Sequence, residues 1–178
     1  DYMPIFTGPQ GIGKSTFLHI LGKDWFSDSL TTFEGKEAAE LIQGTWINEI
    51  GELSAFTKQE TQVIKQFLSK TDDIYRAAYG RRTDKYPRRC VFFGTSNDGE
   101  FLKDVTGNRR FWPVDVGVHP AKKSVWNQLP SEVDQIWAEA YLYWAMGEPL
   151  YLPKEIEEMA KDQQDRHRES SGKEGLIL

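Results

Sequence analysis

The feature that most constrains the fold is a glycine-rich segment that follows an apolar run near the start of the chain. Residues 8–15 read Gly-Pro-Gln-Gly-Ile-Gly-Lys-Ser and match the phosphate-loop pattern G-x-x-x-x-G-K-[ST]. The preceding run, Tyr2 to Thr7, has the composition of a buried strand, and Lys14 to Leu21 form a predicted helix that Gly22 ends. A strand, a glycine turn and a helix in this order are typical of an α/β domain with a mostly parallel sheet.

The spacing of this motif suits a bound nucleoside triphosphate. Glycines let successive backbone N–H groups turn inward around an anion, and the following helix adds the positive end of its dipole. Lys14 brings a charge to the β- and γ-phosphates, and the Ser15 hydroxyl is placed to bind Mg²⁺. Thr16 either reaches the α-phosphate or caps the helix. The predicted site for ATP comprises Gly8, Pro9, Gln10, Gly11, Ile12, Gly13, Lys14, Ser15 and Thr16.

Hydrolysis also needs an acid near the metal and a group that activates water. A short helix, Lys36 to Gln43, precedes the predicted strand Thr45 to Ile50, which supplies Glu49, and Glu52 follows just beyond it. In a parallel sheet these carboxylates lie where the carboxyl ends of the strands open onto ligand. We predict Ser15 and Glu49 as metal-binding residues. The sequence leaves open which acid holds Mg²⁺ and which orients or deprotonates the attacking water.

Two further polar elements follow in the chain. The apolar strand Val91 to Thr95 leads into Ser96 and Asn97, and Asn97 offers a neutral donor to the γ-phosphate or to the attacking water. Arg109 and Arg110 stand directly before the predicted strand Phe111 to Val116. The planar guanidinium suits phosphate oxygens, and an Arg delivered to the developing charge accelerates hydrolysis by roughly 10³- to 10⁵-fold.

A strongly basic segment lies between these motifs. Residues 76–89 carry six basic residues and one acid, a net charge of +5 within a chain whose net charge is −5. Predicted strands Ile74 to Tyr79 and Tyr86 to Phe93 flank the polar residues Gly80 to Asp84, which indicates a β-hairpin. Interleaved tyrosines could stack on bases. The predicted DNA-binding residues are Arg76, Arg81, Arg82, Lys85 and Arg88; alternatively, these arginines pair with acids of a neighbouring subunit.

The other predicted helices differ in their patterns. A capping box, Thr57 with Glu60, starts one helix. Another begins near Ser131 and ends at Gly147, with an apolar stripe that we expect to be packed. Residues 1–152 are expected to form one core and residues 153–178 a charged, solvated helix and flexible tail. Four tryptophans are interpreted as packing residues: Trp25, Trp126, Trp137 and Trp144.

Composition narrows the remaining possibilities. A chain of 178 residues with 39% hydrophobic and 28% charged residues is expected to be one globular domain. Three isolated histidines do not indicate a metal site, and Cys90, the one cysteine, is expected to be a buried thiol. Without a membrane-spanning run or signal peptide, we expect a cytoplasmic protein. The start at Asp1, inside a predicted strand, suggests a piece cut from a longer protein.

Taken in order, these motifs resemble the virulence-associated protein E family of phages and bacterial mobile elements. The similarity is carried by residues 8–15, 46–53, 76–89, 94–97 and 107–112, and it spans about Met3 to Leu152. Members of this family are similar to the superfamily 3 helicases of the AAA+ class. The resemblance implies a P-loop NTPase fold, a three-layer sandwich with a mostly parallel sheet and a basic β-hairpin insertion.

The resemblance also implies roles for the residues. Lys14 and Ser15 correspond to the Walker A pair, Glu49 and Glu52 to the Walker B acids, and Asn97 to the sensor. Either Arg109 or Arg110 corresponds to the arginine finger that acts across a subunit boundary. The implied protein is a Mg²⁺-dependent ATPase and DNA helicase, a ring, usually a hexamer, moving on single-stranded DNA. Two alternatives from the residues themselves stay open: a P-loop kinase for small molecules or nucleosides, and a nucleotide-dependent DNA-binding module without turnover.

Overall fold

A parallel β-sheet forms the centre of the computed structural model, which describes residues 2–103 and 108–168. The strands are β1 (Met3–Thr7), β2 (Phe26–Ser27), β3 (Ile47–Ile50), β4 (Asp72–Tyr75), β5 (Asp84–Pro87), β6 (Val91–Ser96) and β7 (Phe111–Asp115). The helices are α1 (Lys14–Gly22), α2 (Gly35–Leu41), α3 (Lys58–Leu68), α4 (Leu129–Ala145) and α5 (Lys154–Arg166). Five strands in the order β2-β3-β6-β1-β7 make the sheet, and each neighbouring pair is parallel. The expected α/β class with a mostly parallel sheet is confirmed.

The two faces of this sheet are covered by different helices. On one face, Met3 and Ile5 of β1 are fully buried in a core that includes Ile64 and Phe67 of α3. On the other face, Phe6 contacts Phe17 of α1, with 5.7 Å between the ring centroids. This alternation along β1 follows from the pleat of a strand, which sends successive side chains to opposite faces. The described residues therefore form three layers, with α1 on one side of the sheet and α3 on the other.

The capping box is confirmed at the start of α3. The backbone N–H of Glu60 donates to Thr57 Oγ1 at 3.2 Å, and Thr57 N–H donates to Glu60 Oε2 at 2.7 Å. The hydrogen bond from the Thr57 backbone lowers the pKa of the Glu60 carboxyl. The reciprocal bonds satisfy donors that a helix end otherwise leaves unpaired, and they fix where α3 begins.

The basic segment forms a shorter hairpin than predicted. Strands β4 and β5 pair antiparallel, from Asp72 opposite Pro87 to Tyr75 opposite Asp84, in a sheet of their own. The prediction of strand through Tyr79 is wrong, because residues 76–83 form the loop and Tyr79 has a left-handed φ of 62°. A strand cannot continue through that backbone conformation. Tyr75 is buried and stacks on Tyr86, with ring centroids 4.4 Å apart, so Tyr75 is not offered to a base.

Helix α4 is only partly packed, contrary to the prediction from its apolar stripe. Val133 is buried, and Trp137 donates its indole N–H to Leu21 O of α1 at 2.9 Å. Tyr141 and Trp144, however, are 66% and 65% exposed. The lengths of the helices explain this difference, since α1 has 9 residues and α4 has 17. At about 1.5 Å per residue, α1 covers only about half of α4.

The charged helix α5 packs on β7, whereas the sequence predicted a solvated helix. Gln164 Nε2 donates to Phe111 O at 2.9 Å, and Gln163 Nε2 donates to Asp115 Oδ2 at 2.6 Å. His167, which follows α5, is 6% exposed, and its ring nitrogens face the Asp115 carboxylate and Gly99 O. The predicted tail, residues 170–172, lies outside the described residues.

We predict that His167→Ala destabilises the fold by about 1–3 kcal/mol, because it removes a buried ring together with its contacts to Gly99 O and the Asp115 carboxylate. His119→Ala is the matched control, since His119 is exposed in a loop. Urea midpoints of the two variants and the wild type give the comparison. Equal midpoints for all three proteins would contradict a role for His167 in fastening α5.

Within residues 2–103 and 108–168, none of the helices is both long and apolar enough to cross a bilayer.

Candidate functional site

A polar cleft of about 310 Å³ lies at the carboxyl edge of the sheet. Strands β1, β3 and β6 end there side by side, because they are neighbours and run in the same direction. The side chains that follow neighbouring parallel strands consequently meet at this edge. The cleft is lined by Gln10, Gly11, Gly13, Lys14, Ser15, Thr16, Glu49, Gly51, Glu52, Thr95, Ser96, Asn97 and Trp126.

The glycine-rich loop forms one wall of the cleft and requires glycine at two positions for different reasons. A Cβ on Gly8 would lie 2.3 Å from Val116 O, so the backbone just after β7 leaves no room for a side chain at this position. Gly13 precedes α1 with a φ of 95°, a left-handed conformation that other residues rarely adopt. Helix α1 begins at Lys14, so its N-terminus points into the cleft with the positive end of its dipole.

Lys14 is held over this loop by three acceptors. Its Nζ donates to Gly8 O at 2.6 Å, to Pro9 O at 2.9 Å and to Asn97 Oδ1 at 2.9 Å. Desolvation lowers the pKa of Lys14, and the nearby Glu49 carboxylate opposes that shift. The hydrogen bonds place the ammonium group where the loop turns, so a phosphate in the cleft would meet a fixed positive charge.

Glu49 is the acid closest to the loop. It is 5% exposed, and its Oε1 accepts from Ser15 Oγ at 2.6 Å and from Thr95 Oγ1 at 2.8 Å. Both predicted metal-binding residues are thus in direct contact. A carboxylate and a hydroxyl fit Mg²⁺, which prefers oxygen ligands and takes only one or two carboxylates besides phosphate and water. The described residues hold no cluster of three or more His, Cys, Asp or Glu.

Glu52 and Asn97 complete the polar wall. Glu52 is exposed and has a left-handed φ of 52°, and its backbone turns the chain away from β3 into a short 3-10 turn. Asn97 Oδ1 accepts a hydrogen bond from Lys14, so the Nδ2 group of Asn97 can donate to another partner. The structure therefore brings Lys14, Ser15 and Glu49 together with these two residues around one cleft.

Arg109 and Arg110 do not reach this cleft. They form a 3-10 turn immediately before β7, at the opposite edge of the sheet from the phosphate loop. The five residues of β7 separate the two edges by about 17 Å. Arg110 donates from Nε to Ser69 Oγ at 2.7 Å, whereas Arg109 is exposed. Both line a second cleft of about 650 Å³ beside α5. Arg109 is therefore the better placed of the two to act on another molecule.

The basic residues of the hairpin divide into two groups. Arg76, Arg81 and Arg82 are exposed, and Lys85 is exposed while it pairs with Asp72 at 3.0 Å. Only 6% of the Arg88 side chain is exposed.

Arg88 is buried in an ion pair, so its assignment to DNA is corrected here. Its Nε and Nη2 donate to Asp73 at 2.7 and 3.0 Å, and its Nη1 donates to Phe67 O. The guanidinium also lies over the Phe67 ring at 4.1 Å from the centroid. Three of its five N–H donors bind protein acceptors and only 6% of its side chain is exposed, so we assign it a structural role.

Thr95 and Trp126 are among the cleft residues that the sequence did not predict. Thr95 was placed in a strand, but its contact with Glu49 was not predicted; alternation along β6 could have indicated which residues face β3. Trp126 was interpreted as packing, yet it lines the cleft and is 56% exposed. It belongs to an irregular segment between β7 and α4, where periodicity carries no signal.

The chain is similar to a known protein family and to solved structures. The model of the virulence-associated protein E-like domain matches residues 1–169. The chain belongs to this family. No curated protein matches it. Among solved structures, it is similar to the apo A form of the NrS-1 C-terminal region, with a TM-score of 0.50 and 15% identity.

That similarity concerns the fold. The match covers 99% of this chain and 41% of the NrS-1 C-terminal region, so this virulence-associated protein E-like domain spans about two fifths of that chain. A second structure of the region, residues 305–718, matches with a TM-score of 0.46 and 14% identity over the same shares. The family assignment therefore rests on the sequence match, and the site geometry rests on this chain alone.

Proposed function

We propose that this virulence-associated protein E-like domain binds ATP with Mg²⁺ and hydrolyses it, as the motor domain of a phage or mobile-element replication protein. One observation carries the proposal: Lys14 and Ser15 of the glycine loop meet Glu49 and Asn97 at one edge of the sheet. A loop of backbone N–H groups, a lysine, a hydroxyl beside a carboxylate and a neutral amide are the parts that phosphoryl transfer requires.

Each residue of the cleft has its own role in the proposed reaction. The backbone of residues 8–13 and the N-terminus of α1 bind the phosphates, and Lys14 neutralises charge at the β- and γ-positions. Ser15 and Glu49 would hold Mg²⁺, which would neutralise the charge that develops on the phosphate oxygens. Glu52, exposed on the same wall, accepts a hydrogen bond from the attacking water and orients it. Asn97 donates from Nδ2 to the γ-phosphate or to that water.

One feature supports an assembly in which one subunit completes the site of its neighbour, and a second supports binding of single-stranded DNA. Arg109 is exposed at the sheet edge opposite its own cleft, so it reaches a phosphate only in another copy. The loop of residues 76–83 exposes Arg76, Arg81 and Arg82, which suit the phosphates of a single strand of DNA. We therefore propose a ring, with a hexamer as the expected size, that moves on single-stranded DNA.

The test is the rate of ATP hydrolysis with and without single-stranded DNA, with the oligomer mass measured on the same sample. We expect Mg²⁺-dependent hydrolysis that DNA stimulates, in a species several times the mass of one protomer. Lys14→Ala should abolish the activity and serves as the control against contaminating ATPases. A monomer that binds ATP and transfers the phosphoryl group to a small acceptor would contradict the motor and favour a kinase. A monomer that binds DNA without turnover would favour a binding module.

A further inference from the structure

The ring of Trp126 lies directly on the glycine loop. A Cβ placed on Gly13 would be 3.3 Å from Trp126 Cζ2 and 3.4 Å from Cη2, so the six-membered part of the indole lies against the loop backbone. The side chain is nevertheless 56% exposed and lines the cleft. A large flat apolar surface thus borders the phosphate-binding residues and remains open to a ligand.

Trp126 differs from every other tryptophan of the chain in its neighbours. The chain has six tryptophans, and the other five each pair with a second aromatic ring. Trp25, for example, stacks on Trp46 with 4.6 Å between centroids. Among the described residues, no aromatic ring pairs with Trp126. No aromatic ring of the described residues therefore occupies its π-face, whereas the comparably exposed Trp144 lies 5.5 Å from Tyr141.

A fixed turn holds Trp126 in this position. Gln128 N–H donates to Ser124 O at 3.0 Å, Asn127 N–H donates to Ser124 Oγ at 3.2 Å, and Ser124 N–H donates to Gln128 Oε1 at 2.7 Å. These bonds join Ser124, before Trp126, to Asn127 and Gln128, after it, in one turn. The start of the same segment also contacts the loop, because Gly117 lies next to Pro9 and Ile12. The indole is consequently positioned before any ligand arrives.

We propose that Trp126 stacks on the base of the nucleotide whose phosphates the loop binds, an inference that rests on the proposed function. The loop and Lys14 hold the phosphate end, so the nucleoside end extends past Gly13 toward this ring. Stacking uses the π-face that every base has, and larger faces gain more from it. The site therefore prefers purine over pyrimidine nucleotides and distinguishes ATP from GTP weakly through this contact.

The test compares nucleotide with inorganic triphosphate, which carries the phosphates without a base. Dissociation constants for ATP, UTP and triphosphate are measured by calorimetry with Mg²⁺. We expect Trp126→Ala to raise the Kd for ATP about tenfold, to raise the Kd for UTP less, and to leave the Kd for triphosphate unchanged. Trp126→Phe keeps a ring and should stay within about threefold of wild type. Trp144→Ala, an exposed tryptophan far along α4, is the control and should bind as wild type does.

The outcomes separate this inference from the proposed function. If Trp126→Ala weakens ATP and triphosphate equally, the indole supports the loop and does not bind the base, which overturns the inference. An unchanged Kd for ATP overturns it as well, while Lys14-dependent binding of triphosphate would leave the proposed function standing. If the wild-type chain binds neither ATP nor triphosphate, both the function and this inference are wrong.

Discussion

Replacing Glu49 with Gln should lower the rate of ATP hydrolysis by about 10²- to 10⁴-fold while ATP remains bound. The substitution keeps the shape of the side chain and one carbonyl oxygen, which can still accept from Ser15 and Thr95. It removes the negative charge beside the hydroxyl that we propose as a metal ligand. The variant should also need more Mg²⁺ for half-maximal activity, since a neutral amide binds the cation less well.

Glu52→Gln tests whether Glu52 has a different role from Glu49, which the sequence does not decide. Glu52 lines the same cleft but is exposed. If Glu52 orients water, this variant should lose turnover while its Mg²⁺ requirement stays at the wild-type value. Asp98→Asn changes an exposed acid near the same strand end and serves as the matched control, with unchanged kinetics expected. Steady-state rates across a Mg²⁺ titration provide both readouts. Wild-type rates and Mg²⁺ dependence for Glu49→Gln would refute our assignment of that residue.

The second large effect concerns stability. Arg88→Ala should lower the free energy of unfolding by about 3–5 kcal/mol, because it leaves the buried Asp73 carboxylate without its partner. It also removes the donor to Phe67 O and the contact with the Phe67 ring. Since whole domains are stable by only about 5–15 kcal/mol, a loss of this size should be visible as a large shift of the urea midpoint.

Arg89→Ala is the matched control for this prediction, because Arg89 is the adjacent residue and is exposed. It should leave the urea midpoint unchanged. The double variant Asp73→Ala with Arg88→Ala should lose less free energy of unfolding than the sum of the losses of the two single variants. A difference of this sign shows that the two residues are coupled. If Arg88→Ala instead kept the wild-type midpoint and weakened only DNA binding, the original assignment of Arg88 to DNA would be correct and our structural role wrong.

The cleft was predictable because its residues follow strands. Glu49 lies at the end of an apolar run, Asn97 follows one directly, and Lys14 opens the helix after the loop that follows β1; parallel strands bring their carboxyl ends to one edge. The glycine motif likewise predicts a loop that is followed directly by helix α1. These inferences use only local periodicity and the direction of the strands, both of which are properties of the sequence itself.

What escaped prediction depends on contacts between segments that are distant in the chain. The charge count of the basic segment included Arg88, although Asp73, fifteen residues earlier, neutralises it inside the fold. The stripe on α4 predicted a buried face, but its burial depends on the length of α1. Trp126 stands in a segment with no regular period, so its position on the loop follows from the turn that holds it.

The place of β1 within the sheet bears on the order in which the chain can fold. This strand pairs with β6 on one side and β7 on the other, and both partners lie about a hundred residues later in the sequence. Contacts between distant segments form slowly, because the chain entropy of closing the long loops must be overcome first. During synthesis, β1 and the glycine loop that it supports remain unpaired until β6 has left the ribosome, and one edge of β1 stays open until β7 follows. The cleft is therefore among the last parts of this domain to form.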